Sequence, residues 1–133
     1  MIQPFGFRFN EQTAVNNFYQ QIMKELTPAQ VQENALQEFN SFVEKLRAKG
    51  VNVVVIPDTK DLDTPDSIFP NNWVSFHGNA VVGLYPMCAE NRRYERREDI
   101  LETLIDDYGF KLRKLKILPS LRSTINFWKE QEV

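Results

Sequence analysis

The chain has 133 residues, 42% of them apolar and 26% charged, with five Gly and seven Pro; these proportions fit one compact domain with a buried core and exclude collagen-like, low-complexity and wholly disordered classes. A formal net charge of -2 and a pI near 5.5 supply no basic field for a phosphate backbone, so nucleic acid is excluded as a first partner and a small metabolite stays open. One Cys and one His exclude a disulfide framework and a Cys/His zinc cage, and fit a reducing, cytoplasmic compartment. No run approaches the roughly 20 apolar residues of a membrane span, and residues 1–10 lack the pattern of a signal peptide.

Residues 28–49 carry the strongest helix signal. Thr27 offers an N-cap hydroxyl, Pro28 a first helical position, Gln30 a capping-box amide and Gly50 a stop. Val31, Ala35, Leu36, Phe39, Phe42, Val43 and Leu46 form one apolar stripe, leaving Glu33, Glu38, Lys45 and Arg47 for water. Val51 to Ile56 then reads as a buried strand stopped by Pro57, and helix followed by strand through a tight Gly turn predicts an α/β layer. From Asp58 to Pro70, prolines and aspartates replace any periodicity, so the segment is a loop.

Asn72 to His77 and Asn79 to Tyr85 read as two strands of a hairpin closed by Gly78-Asn79, with Trp73, Ser75 and His77 on one face and Val74 and Phe76 on the other. Ile100, Leu101, Leu104, Ile105 and Tyr108 make a second helical stripe ending at Gly109, followed by a strand over Phe110 to Ile117. The charge is uneven along this order. Residues 1–110 hold 10 Lys/Arg and 16 Asp/Glu, a net of -6, whereas residues 111–133 hold 6 and 2, a net of +4. A basic surface strand with a tail accounts for this on composition alone.

The side chains that bear chemistry leave alternatives open. Asp58, Asp61, Asp63 and Asp66 lack the glycine and terminal glutamate of a calcium loop, so they read as turn caps and no metal or other cofactor is expected. His77 reads as a turn histidine with no nucleophile near it in sequence, and Cys88 as a small buried hydrophobe. Arg92, Arg93, Arg96 and Arg97 alternate with Glu90, Glu95, Glu98 and Asp99. That pattern describes a solvated helix end, or, for Arg92 and Arg93, a guanidinium fork that clamps a substrate carboxylate.

FNEQTAVNN at Phe9 to Asn17, TPDSIFPNNWVSFH at Thr64 to His77 and LYPMCAENRRYERR at Leu84 to Arg97 together resemble the arginine deiminase/amidinotransferase superfamily. The similarity is to its citrulline-utilising, dimethylarginine-hydrolase-like branch. The resemblance covers roughly residues 1–115 and implies a five-bladed α/β propeller of ββαβ modules, of which this chain would hold the first and most of the second. In that superfamily a cysteine thiolate attacks a guanidinium or ureido carbon, a histidine moves protons and acidic residues hold the nitrogens. The resemblance assigns substrate contacts to Asp66, to Asn71 and Asn72 where dimethylarginine hydrolases have a Glu-Asp pair, and to Arg92 or Arg93 for the substrate carboxylate, with Phe69 as an apolar wall.

Two carboxylates select a cation, whereas two amides tolerate a neutral ureido group, so the implied ligand is a guanidino or ureido amino acid: arginine, citrulline or a methylarginine. The family's cysteine and histidine belong to later modules, and neither His77 nor Cys88 sits at a matching position. The resemblance therefore implies half a substrate pocket, no catalytic residue and no turnover by this chain alone. The alternative is a small α/β module that binds an amino acid or a partner chain without catalysis. In either case exposed sheet edges favour homo-oligomers.

Relatives run from the second-module strand into FLEGTGS, and one set of codons for Asn126 to Val133 spells that motif when read two bases later. The expected organisation is thus a family segment over 1–116 and a frameshifted tail over 117–133.

Overall fold

The computed structural model describes residues 1–14 and 25–118. The fold is mixed α/β and falls into two compact units, Met1–Pro70 with Ala89–Glu95 and Asn71–Cys88 with Arg96–Val133. Each holds a small sheet, and neither sheet closes into a barrel among the described residues.

The first unit is built on β1 (Ile2–Gln3), α1 (Glu11–Ala14), α2 (Pro28–Ala48) and β2 (Ile56–Pro57). The caps of α2 are those expected. The Thr27 hydroxyl accepts from the Gln30 N–H while the Gln30 side chain accepts from the Thr27 N–H, with Pro28 leading the helix. At the other end Gly50 adopts φ 79°, and its N–H donates to Arg47 O at 2.9 Å while the Val51 N–H donates to Leu46 O at 3.1 Å. This paired closure satisfies two otherwise orphaned carbonyls and needs the left-handed residue that glycine adopts freely.

The apolar stripe of α2 holds with one exception: Val43 is buried, but Phe42 is 53% exposed. Phe42 lies about 60° around the helix from Phe39 and about 100° from Val43, at the shoulder of the stripe. A polar residue takes a share of the inner face instead, because the Gln32 side chain accepts from the Phe7 N–H at 2.6 Å and donates to Pro4 O at 2.9 Å. One amide thereby ties residues 4–7 to the helix.

The strand expected over Val51 to Ile56 shrinks to β2, parallel to β1 with Ile2 opposite Ile56 and Gln3 opposite Pro57. Among the described residues the earlier ones have no ladder partner, although the terminal ammonium of Met1 donates to Val54 O at 2.7 Å. Pro57 ends the ladder without breaking it. The donors are the Ile56 N–H, to Met1 O at 3.0 Å, and the Asp58 N–H, to Gln3 O at 3.1 Å, so the missing proline N–H falls on the unpaired side.

The second unit contains β3 (Val74–His77), β4 (Val81–Leu84), α4 (Glu98–Asp106) and β5 (Lys114–Ile117), while the short α3 (Glu90–Arg93) belongs to the first. Its sheet has order β3-β4-β5, with β3 antiparallel and β5 parallel to β4. Strand, strand, helix, strand is the order expected from the periodicity. The strands are shorter than expected: Pro70–Asn72 forms a 3-10 turn ahead of β3, and only the last four residues of 110–117 pair with β4.

The hairpin turn also differs. Gly78–Ala80 makes a three-residue connection, with Asn79 at φ 61° and Ala80 at φ 57°. Asn tolerates the left-handed region, whereas Ala meets its Cβ penalty there. Val82 and Leu84 are fully buried, with Trp73, Val74, Ile100 and Leu101 the other apolar buried side chains among the described residues of this unit. Gly109, at φ 66°, closes α4, and the Phe110 N–H reaches Leu104 O at 2.9 Å.

Candidate functional site

The first unit buries an unusual amount of polar chemistry: Asn10, Thr64, Asp66, Ser67, Asn91 and Glu95. Buried polar groups are stable only when hydrogen-bonded, and each step of this cluster meets that demand. Asn10 begins it. Its main-chain O accepts from the Ala14 N–H at 3.0 Å and its Oδ1 from the Gln12 N–H at 3.1 Å, so Asn10 caps α1 in the way short polar side chains do.

The same side chain then reaches across the unit. Asn10 Nδ2 donates to Asp66 Oδ2 at 2.6 Å, and Asn91 Nδ2 donates back to Asn10 Oδ1 at 2.9 Å. The Asn91 N–H donates to Gln12 Oε1 at 3.0 Å, tying α3 to α1. Asp66 itself sits in a tight turn in which the Ser67 N–H donates to Thr64 O and the Phe69 N–H to Asp66 O at 3.0 Å. Pro65, almost fully buried, anchors that turn. The turn explains why a carboxylate emerges from the Pro-rich loop at a defined point.

Arg92 adds the charge. Its Nε donates to Glu95 Oε1 at 3.0 Å and its Nη2 to Glu95 Oε2 at 3.0 Å, a fork geometry that guanidinium and carboxylate share. The same Nε lies 3.7 Å from Asp66 Oδ2. Burial pushes the Glu95 carboxyl above its ordinary value, and the adjoining Arg92 opposes that push. One guanidinium faces two carboxylates, so the cluster carries surplus negative charge when both are ionised. Such a site suits a cationic nitrogen. No buried side-chain N or O atom among the described residues lacks a hydrogen-bond partner.

The expected site residues fall in different settings. Asp66 and Arg92 come together. Phe69 is 43% exposed, with its N–H on the Asp66 carbonyl, and Arg93 is exposed one position beyond Arg92. Asn71 and Asn72 are exposed in the turn that opens the second unit. Asn10, Asn91 and Glu95 are the members that residue-by-residue reading passes over. All three lie inside the FNEQT and ENRRYE segments, so the signal was the co-occurrence of those segments rather than any single residue.

Other aspartates have local tasks. Asp63 takes a bidentate pair from Arg8, at 2.6 and 2.8 Å, and this bond holds its carboxyl below the ordinary value. Asp58 accepts from the Thr64 hydroxyl at 2.9 Å. Among the described residues no three His, Cys, Asp or Glu side chains gather to hold a metal. Cys88 is exposed rather than buried. His77 does have a hydroxyl beside it, since Ser75 Oγ lies 2.7 Å from its Nε2. Residues two apart on a strand share a face, which sequence adjacency conceals.

Among the described residues no helix is long and apolar enough to cross a membrane. No curated protein and no solved structure matches the chain. A family model does: over residues 3–126 the chain matches N,N dimethylarginine dimethylhydrolase, eukaryotic.

Proposed function

The chain belongs to the N,N dimethylarginine dimethylhydrolase family, hydrolases acting on methylated arginines, and from that premise we propose that it holds the amino-acid end and the cationic nitrogens of a guanidino or ureido amino acid. The supporting observation is the buried Asp66 carboxylate beside Arg92, at 3.7 Å, in a cluster with surplus negative charge. In this reading Asp66 attracts the cationic nitrogen, Asn10 and Arg92 hold that carboxylate in position, and the exposed Arg93 meets the substrate carboxylate. Phe69 forms an apolar wall. Asn71 and Asn72 extend the accepted ligands to citrulline, because an amide both donates and accepts.

The reading includes a partial propeller and a chain that binds without turning substrate over: the family's cysteine and histidine have no counterparts at His77 and Cys88. It keeps the division at 116/117 with a change of frame, and association of copies through sheet edges. Residues beyond 118 lie outside the described residues, and nucleotide sequencing across codon 116 in all frames tests that division. Isothermal calorimetry with arginine, citrulline and dimethylarginine tests the ligand. Saturable binding that is lost in Asp66→Asn and retained in Asp61→Asn, both variants folded by circular dichroism, supports the reading. Equal affinities in the two variants refute it.

A further inference from the structure

The second unit carries a cationic face that the functional reading leaves unused. Cross-strand partners share a face of a sheet, and the rows here are His77 opposite Val81 and Lys114, then Ser75 opposite Gly83 and Lys116. Tyr85 continues the same face beyond Gly83, its hydroxyl 2.8 Å from Ser75 Oγ. Ser75 Oγ is in turn 2.7 Å from His77 Nε2. Three side chains thus form one continuous hydrogen-bonded chain.

Gly83 makes this arrangement possible. A Cβ at that position would stand 3.0 Å from Ser75 Oγ and 3.2 Å from the Tyr85 hydroxyl oxygen, so any side chain would press the two hydroxyls out of place. The absent side chain also leaves a low point between Ser75 and Lys116. Lys114, Lys116 and His77 are exposed, and Ser75 and Tyr85 half-buried. Strands β3, β4 and β5 contain no carboxylate, and neither lysine is ion-paired among the described residues. The charged and titratable groups facing His77 from these strands are therefore Lys114, Lys116 and Tyr85, with Arg113 just ahead of β5.

Counting hydrogens decides what this chain of groups can bind. With His77 neutral, imidazole, serine and tyrosine carry one polar hydrogen each, and two are used in the two internal bonds. One end then donates outward and the other presents a lone pair. With His77 protonated there are four hydrogens, so Nε2–H donates to Ser75, Ser75 donates to Tyr85, and both Nδ1–H and the Tyr85 O–H point outward. A lone pair at one end repels an anion, and two outward donors beside Lys114 and Lys116 attract one.

We propose that the Ser75–His77–Tyr85 face with Lys116 is an oxyanion-binding site that favours the protonated imidazole of His77. Sulfate is the suitable probe, because its charge is constant across the range in which histidine titrates. Titrations of the full chain are followed by NMR of the His77 ring and the β3 to β5 amides at about pH 5.5 and about pH 8, with chloride at matched ionic strength as control.

Saturable shifts centred on Ser75, His77, Gly83 and Lys116 are expected, with affinity about tenfold greater at the lower pH. His77→Gln should abolish the pH dependence, and Lys116→Ala should weaken binding about fivefold. Both positions are exposed, so neither substitution threatens the fold. Shifts reproduced by chloride, affinity independent of pH, or pH dependence that survives in His77→Gln would each overturn the proposal.

Discussion

The two units bury different things. In the second, the fully buried side chains include Val82 and Leu84, and packing volume is what specifies them. In the first, the deepest residues include Asn10 and Glu95, which contribute nothing unless every partner is in place. An apolar interior tolerates volume-conserving change, whereas a buried polar cluster fails when one member is removed. Such a cluster is worth keeping where a ligand must meet directed charge, and this sets the first unit apart as the chemically specified one.

The contrast is most easily broken at Arg92. Arg92→Met leaves the wholly buried Glu95 side chain without its guanidinium, and the expected loss is about 3–5 kcal/mol in urea unfolding. An equal change for Arg8→Met, whose pair with Asp63 has side-chain exposures of 40% and 59%, would erase the distinction; about 0–1 kcal/mol is expected there. Next in size, Asn10→Ala removes the donor to Asp66 and should cost about 1–3 kcal/mol, against under about 1.5 kcal/mol for the volume-conserving Leu84→Met in the apolar interior.

A gain is expected at the hairpin. Ala80→Gly, at φ 57°, relieves the left-handed alanine and should stabilise by about 0.5–1 kcal/mol after the extra chain entropy of glycine is subtracted. Thermal unfolding followed by circular dichroism reads this directly.

The smallest effect is one of pH. Burial raises the folded-state value of Glu95 above its ordinary 4.5, so the unfolded chain gives up this proton first as pH rises. The resulting stability is full below 4.5 and is lost as pH climbs through the raised folded value. Asp63 and Asp99 are held below their ordinary 3.8 by Arg8 and Arg97, so their contribution is present above that value and lost as pH falls through the folded values. Urea titrations of the wild type and Glu95→Gln across this range should diverge with rising pH, the wild type losing stability relative to the variant. Parallel curves would mean that Arg92 compensates the burial of Glu95 completely.

Much of the fold was legible locally. Thr27, Pro28, Gln30 and Gly50 announce both ends of α2 because caps act within four residues, and the two apolar stripes and the hairpin follow from period alone. Strand lengths were not legible. Val51 to Val55 have the composition of a strand, yet a strand exists only where a partner offers its ladder, and β1 offers two residues. The Gly78-Asn79 dipeptide likewise signalled a turn but not the third residue, since register is settled by the pairing of Val74 with Leu84.

The family resemblance named Asp66 and the arginine pair as candidates, and composition could not say that Glu95 is buried. In sequence the run from Glu90 to Asp99 has the alternating charge of a solvated helix end. The neighbouring Arg97 and Asp99 do form such a pair, at 2.6 Å with Asp99 exposed, so one pattern yields two environments a few residues apart. What the sequence by itself determined is therefore whatever acts over one turn of helix or one hairpin: caps, stripes, strand alternation and the family to which the motifs belong. Only the tertiary structure decided that Asn10, Asp66 and Asn91, separated by up to 81 positions, share one buried network. Desolvation depends on what the rest of the chain places around a residue, and no local pattern encodes that.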